Sequence, residues 1–140
     1  MKPYVLIVLL ACAAQFAAAQ SSAVKCSTVE HYRVVALPLK PQGINNSGVV
    51  AGTSHLHGAL WSSKKGLREL KVPEGFTETE STAINNLGHI AGTASDQESG
   101  KRQAFLYRNG RIHLLTGQQS KAADINDADD VVGEAVDHLG

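Results

Sequence analysis

The side chains best suited to chemistry gather near the end of the chain. Asp124, Asn126, Asp127, Asp129, Asp130 and Glu134 supply alternating oxygens, a composition that can wrap a hard cation such as Ca²⁺. An EF-hand-like loop wants D-x-[DN]-x-[DN]-G. Counted from Asp124, the fifth place is Ala128 and the sixth is Asp129, so that pattern fails. His55, His57, His89, His113 and His138 raise a metal reading. His55 and His57 stand two apart in Ser54-His55-Leu56-His57, a spacing that puts both on one face of a strand. Zinc would need a third ligand, for which His89 is the candidate. Nucleophilic catalysis lacks a frame: there is no G-x-S-x-G elbow, and Cys26 has no base near it. Glu78 and Glu80, like Asp96 and Glu98, read as solvated charges in loops. Trp61, Phe105 and Tyr107 could make a sugar-stacking platform, but at strand positions such rings belong to a core. No residue is therefore assigned a catalytic, cofactor-binding or metal role, and no cofactor is expected.

The acidic cluster has a simpler origin. Three segments share one pattern: Gly43-Ile44-Asn45-Asn46-Ser47-Gly48-Val49-Val50-Ala51-Gly52, then Ala83-Ile84-Asn85-Asn86-Leu87-Gly88-His89-Ile90-Ala91-Gly92, then Asp124-Ile125-Asn126-Asp127-Ala128-Asp129-Asp130-Val131-Val132-Gly133. The isoleucines are 40 and 41 residues apart, the period of a repeat architecture. Asn126, Asp127 and Asp129 fall where Asn45, Asn46 and Gly48 fall, so they are turn residues first. His89 falls where Val49 and Asp130 fall, at a variable position.

Each repeat reads as about four short strands. A strand enters the Asn-rich turn, whose Asn and Gly tolerate positive φ. The next strand carries Gly52, Gly92 or Gly133, the sign of a bulge or a close backbone. Gly58-Ala59-Leu60-Trp61-Ser62 and Gln103-Ala104-Phe105-Leu106-Tyr107 form the third strand. Residues 67–72 and 111–115 form the fourth, the former alternating apolar and polar so that one face is buried. Asn109-Gly110 is a hairpin turn. Residues 32–37 are β-prone and are broken by Pro38 and Pro41. Ile44, Ile84, Ile125, Val50, Ile90, Val131, Leu60 and Leu106 are the predicted core. The expected fold is all-β: antiparallel four-stranded units of about 40 residues, stacked like β-propeller blades, about two and a half of them in an incomplete ring. The repeats run over residues 43–82, 83–123 and, in part, 124–140.

The chain has 140 residues, 13 basic and 13 acidic, and no basic stripe, which argues against a nucleic-acid partner. Residues 1–19 read as a signal peptide: Lys2, an apolar run too short to span a bilayer, and Ala17-Ala18-Ala19 before a cut at Gln20. An N-terminal membrane anchor is one alternative. Leu9-Leu10-Ala11-Cys12 also resembles a lipobox, so a lipoprotein anchored at Cys12 is another. Residues 20–31 read as a linker holding Cys26, a single thiol that closes no internal bridge. The expected location is extracytoplasmic, with no membrane contact after signal removal.

The blocks A-I-N-N-x-G-x-V-V-G, H-A-F-L-W and N-G resemble the HAF-repeat family of extracellular bacterial repeat proteins. Residues 43–52 and 83–92 match the first block well. His57-Gly58-Ala59-Leu60-Trp61 and Gln103-Ala104-Phe105-Leu106-Tyr107 match the second in part, and Asn109-Gly110 matches the third. Asp129 departs from the turn glycine. The resemblance implies export and a repeat scaffold, and no defined activity. The expected function is non-catalytic binding to an extracellular ligand or surface. Loops 53–57 and 94–102 would lie on one side, with Lys101 and Arg102 facing an acidic partner. Copies could self-associate to complete the ring. The alternatives are a propeller-type extracellular carbohydrate-active hydrolase or lyase, and a truncated non-functional repeat fragment.

Overall fold

The structure is a computed structural model that describes residues 4–5, 33–115 and 119–136. The expected signal cleavage point, the linker, both cysteines and His138 lie outside the described residues. The chain divides into Met1–Ala36 and Leu37–Gly140. In the first part β1 (Tyr4–Val5) is a two-residue strand, and β2 (Ala36–Leu37), also of two residues, straddles the boundary. Every regular element among the described residues is a strand, and none is a helix long and apolar enough to cross a membrane.

The second part builds three antiparallel sheets. The first contains β3 (Lys40–Ile44), β4 (Val50–Ser54), β5 (His57–Ser62) and β6 (Gly66–Glu69), in that order. The second contains β7 (Glu78–Ile84), β8 (Ile90–Ser95), β9 (Arg102–Arg108) and β10 (Arg111–Leu114), again in chain order. The third pairs β11 (Ser120–Ile125) with β12 (Val131–Ala135). Strands that follow one another pair because the turns between them are too short for a crossover.

One bulge recurs in all three sheets. The register slips between Pro41 and Gly43, between Ser81 and Ala83, and between Ala122 and Asp124. Gly52, Gly92 and Gly133 stand opposite the start of each slip. A Cβ at these glycines would come within 2.1, 2.3 and 2.1 Å of the carbonyl oxygens of Lys40, Glu80 and Lys121. The bulge pushes the neighbouring backbone into the space a side chain would need.

Successive sheets stack through their first strands: β7 packs on β3, β4 and β5, and β11 packs on β7, β8 and β9. The first junction buries Leu60, Leu70, Phe76, Ile90, Phe105 and Tyr107. The second buries Ala91, Ala104, Leu106, Ala122 and Ile125. A hydroxyl staples each junction: Gly58 N–H donates to Thr79 Oγ1 (2.9 Å), and Ala104 N–H donates to Ser120 Oγ (3.0 Å).

Four expectations change. Ile44 is 56% exposed and does not join the core. Ile84 is sheltered by the sheet before it, where it lies under Gly43, and Ile44 belongs to the first of these sheets. Leu67 is exposed with the rest of β6, and the burial expected there falls on Leu70 just beyond the strand. Pro41 lies inside β3 instead of breaking a strand, because β3 is an edge strand with its bulge at that place. Glu78 and Glu80 lie in β7, not a loop; Thr79 and Ser81, the inward-facing residues between and beside them, are polar and hide the strand's alternation.

Candidate functional site

The three Asn turns close in the same way. Asn45 Oδ1 accepts from the N–H groups of Ser47 and Val49, both at 3.0 Å. Asn85 Oδ1 accepts from Leu87 (3.1 Å) and His89 (2.9 Å). Asn126 Oδ1 accepts from Ala128 and Asp130, both at 2.9 Å. Each turn ends with positive φ, at Gly48, Gly88 and Asp129. Asp is among the residues that tolerate that conformation, and here the Asp129 carboxylate is bonded to the preceding sheet and not to its own turn.

The same asparagines also tie the sheets together. Asn45 Nδ2 donates to the carbonyl of Asn85 (3.1 Å), and Asn85 Nδ2 donates to the carbonyl of Asn126 (2.9 Å). A second column runs beside the first. Asn46 N–H donates to Asn86 Oδ1 (3.0 Å), and Asn86 N–H donates to Asp127 Oδ1 (2.8 Å). Each of these four ladder bonds thus runs from the earlier repeat to the later one.

The acidic cluster is absorbed into this ladder. Asp127 takes both hydrogen bonds from Asn86, which hold its carboxyl below the ordinary 3.8. Asp129 accepts from His89 Nδ1 (2.7 Å) and Asn85 Nδ2 (2.9 Å), with Arg108 Nη1 at 3.7 Å from its other oxygen. The hydrogen bond from His89 is the main cause of its lowered pKa; the Asn85 bond and the charges of His89 and Arg108 add to it, and burial opposes it. Asp130 Oδ2 accepts from Asn126 Nδ2 (2.9 Å), and Asp124 Oδ1 caps Ile125 N–H (2.8 Å). Glu134 is exposed on β12.

The histidines do not converge. His55 and Leu56 form the two-residue β4–β5 turn with φ of 47° and 72°, so His55 is not on a strand. His55 and His57 both approach Glu69, at 3.6 and 3.5 Å. His89 sits with Asp129, and His113 is exposed on β10. Among the described residues no group of three or more His, Cys, Asp or Glu is placed to hold a metal ion. The Asp129–His89 pair could orient a general base, but no hydroxyl or thiol among the described residues is hydrogen-bonded to His89. Phe105 and Tyr107 are core residues and Trp61 is half-buried. Loops 53–57 and 94–102 lie at the same end of their sheets, opposite the ladder. There Lys101 Nζ stands 4.4 Å over the Phe76 ring, while Arg102 is exposed at the start of β9.

The ladder end carries a groove of about 430 Å³ that the sequence did not announce. It opens between the first Asn turn, the β5–β6 turn and Gly88 of the second Asn turn. Lys64, Lys65 and Arg68 line it over a floor that includes Leu60, and no carboxylate lines it. Arg68 is held in place: its Nη2 donates to Tyr107 Oη (3.0 Å), and its guanidinium lies 6.0 Å from that ring's centroid. Lys64 and Lys65 are exposed. Three fixed or fixable cations around one concavity suit an acidic group. In the sequence Lys64-Lys65 looks like a plain turn. The available signal was comparative: β5 and β6 are joined by residues 63–65, whereas β9 and β10 are joined by Asn109 and Gly110 alone. No protein-family model, curated protein or solved structure matches the chain.

Proposed function

We propose that this chain is an exported β-repeat scaffold that acts by binding, without catalysis, and that its ligand is an acidic polymer or acidic surface outside the cytoplasm. The groove of Lys64, Lys65 and Arg68 carries the reading. The repeat blocks of the HAF type, the stacking of four-stranded sheets like propeller blades, and the leader of residues 1–19 support the same view of an exported scaffold. Asp127, Asp129 and His89 are engaged in contacts that join sheets, and Asp130 is bonded within its own turn, which favours binding over hydrolysis.

The test uses an immobilised acidic polysaccharide, polygalacturonate, and the double variant Lys64→Glu/Lys65→Glu. Both side chains are exposed, so the exchange spares the core. The native chain should bind with a steep salt dependence, and the double variant should lose about tenfold or more in affinity. Lys101→Ala/Arg102→Ala should bind like the native chain, because those residues lie at the other end. Equal binding by the Lys64/Lys65 variant would reject the groove as the site.

A further inference from the structure

A second concavity opens on the first junction, between the segment that links β6 to β7 and the start of β10. It measures about 440 Å³. Lys71 and Glu74 line it from the linking segment and Arg111 lines it from β10, beside the apolar Val72, Pro73 and Ile112. Lys71, Glu74 and Arg111 are exposed. Tyr107, buried in the junction core, completes the wall.

The two concavities meet at one contact. Arg68 lines the basic groove, Tyr107 lines the second concavity, and Arg68 Nη2 donates to Tyr107 Oη at 3.0 Å. Lys64, Lys65, Arg68, Lys71 and Arg111 thus follow one another across the junction, against the carboxylate of Glu74. Among the described residues none of these five cations forms an ion pair. The repeat does not demand the charges. Arg68 stands opposite Leu60, and the second sheet has His113 at the matching place opposite Leu106. Arg111 stands opposite Arg108, where the first sheet has Gly66 opposite Ser62. The ladder bonds and bulge glycines recur from sheet to sheet; these cations do not. Unpaired like charges gathered around a concavity raise the local potential and draw in an anion.

We infer that the two concavities form one cleft, and that it takes a linear acidic polysaccharide with carboxylates on both sides of the Arg68–Tyr107 pair. The inference rests on the reading of the basic groove given above and extends it across the junction. A polyuronate carries a carboxylate on every sugar and C–H faces between them. The carboxylates suit Lys64, Lys65, Lys71 and Arg111; the C–H faces suit Leu60, Val72, Pro73 and Ile112. An acidic polypeptide would instead lay main-chain N–H and C=O groups on that apolar lining, which costs free energy. Arg68 is the oriented cation at the centre: Tyr107 holds one nitrogen, and the rest of the planar fork is left for a carboxylate.

The test is calorimetric titration of the full chain with decagalacturonate in 0.15 M salt, where exposed charges act over about 8 Å. The native chain should bind one decasaccharide per chain, and should bind decaglutamate less tightly. Both readouts use the native chain alone. Lys71→Ala/Arg111→Ala should weaken decagalacturonate binding by about tenfold or more, as should Lys64→Glu/Lys65→Glu. Lys101→Ala/Arg102→Ala removes two charges at the other end and should change it by less than about twofold. A loss confined to the Lys64/Lys65 variant keeps the basic groove and overturns the continuous cleft. Two decasaccharides per chain, or tighter binding of decaglutamate, overturns the cleft as well. No binding by the native chain, or no loss in the Lys64/Lys65 variant, overturns the groove and the cleft together.

Discussion

The two junctions between sheets solve one problem with different chemistry. The first is cemented by large apolar side chains, Leu60, Leu70, Phe76, Ile90, Phe105 and Tyr107, under a neutral ladder of Asn45, Asn46, Asn85 and Asn86. The second has mostly small core residues, Ala91, Ala104 and Ala122 with Leu106 and Ile125. It adds charge instead: Asp127 replaces an asparagine, and Asp129 gathers His89, Asn85 and Arg108. Where a third strand supplies rings, burial dominates; where it does not, hydrogen bonds to ionised groups carry more of the contact. Apart from the Arg68 guanidinium on Tyr107 the first junction is neutral, so it should respond weakly to pH and salt, and the second should respond to both.

The largest expected difference comes from emptying each core. Phe105→Ala should cost about 3–5 kcal/mol, and Leu106→Ala should fall toward the low end of about 2–5 kcal/mol, both read from urea midpoints. Equal losses would mean that the junctions share the apolar load evenly. Next comes Asn85→Ala. Asn85 is 4% exposed and its side chain makes four hydrogen bonds, two that close its turn and two that reach the third repeat. Its loss should cost about 2–3 kcal/mol, because it leaves buried backbone groups unpaired. Hydrogen exchange should show lost protection on both sides of the second junction, and a loss confined to residues 85–89 would make the residue a turn former only.

The subtlest test is acid. The Asp129 carboxyl has a lower pKa in the folded chain than its ordinary 3.8. Its stabilising effect is therefore complete above the unfolded-chain pKa and drains away as pH falls through the lower folded value. Asp127 is shifted in the same direction by Asn86 and adds to the effect in the same window. Below about pH 4, hydrogen exchange should quicken in residues 120–135 before residues 78–95. Asp129→Asn should shrink that gap. Parallel loss in both stretches would show that the charged clamp does not govern the second junction.

Much of this architecture is legible from the chain itself. The 40-residue period, the Asn-Gly turns and the inner glycines give sheet order and bulge position, because each rests on a local backbone requirement. Ile44 shows the limit: like Ile84 and Ile125 it directly precedes the turn asparagine, yet burial depends on a preceding sheet that no residue near it encodes. The ladder was half visible. Asn45, Asn85 and Asn126 are identical while their neighbours Asn46, Asn86 and Asp127 vary. A turn alone does not demand that invariance, since Asp or Gly serve turns as well. The demand comes from an amide that must accept within its own turn and donate to the next. The basic groove was least legible, because Lys64, Lys65 and Arg68 meet the second Asn turn only after two sheets have stacked.

The direction of the ladder has a consequence for how the architecture changes length. The middle repeat accepts a pair of hydrogen bonds from the repeat before it and donates a pair to the repeat after it. A duplicated 40-residue segment inserted between two existing ones would meet matching groups on both flanks, without a single compensating substitution. The stack is thus modular and polar, like a row of hook-and-eye fasteners. Copy number can drift in it freely, while reversal of a segment cannot be accommodated at all.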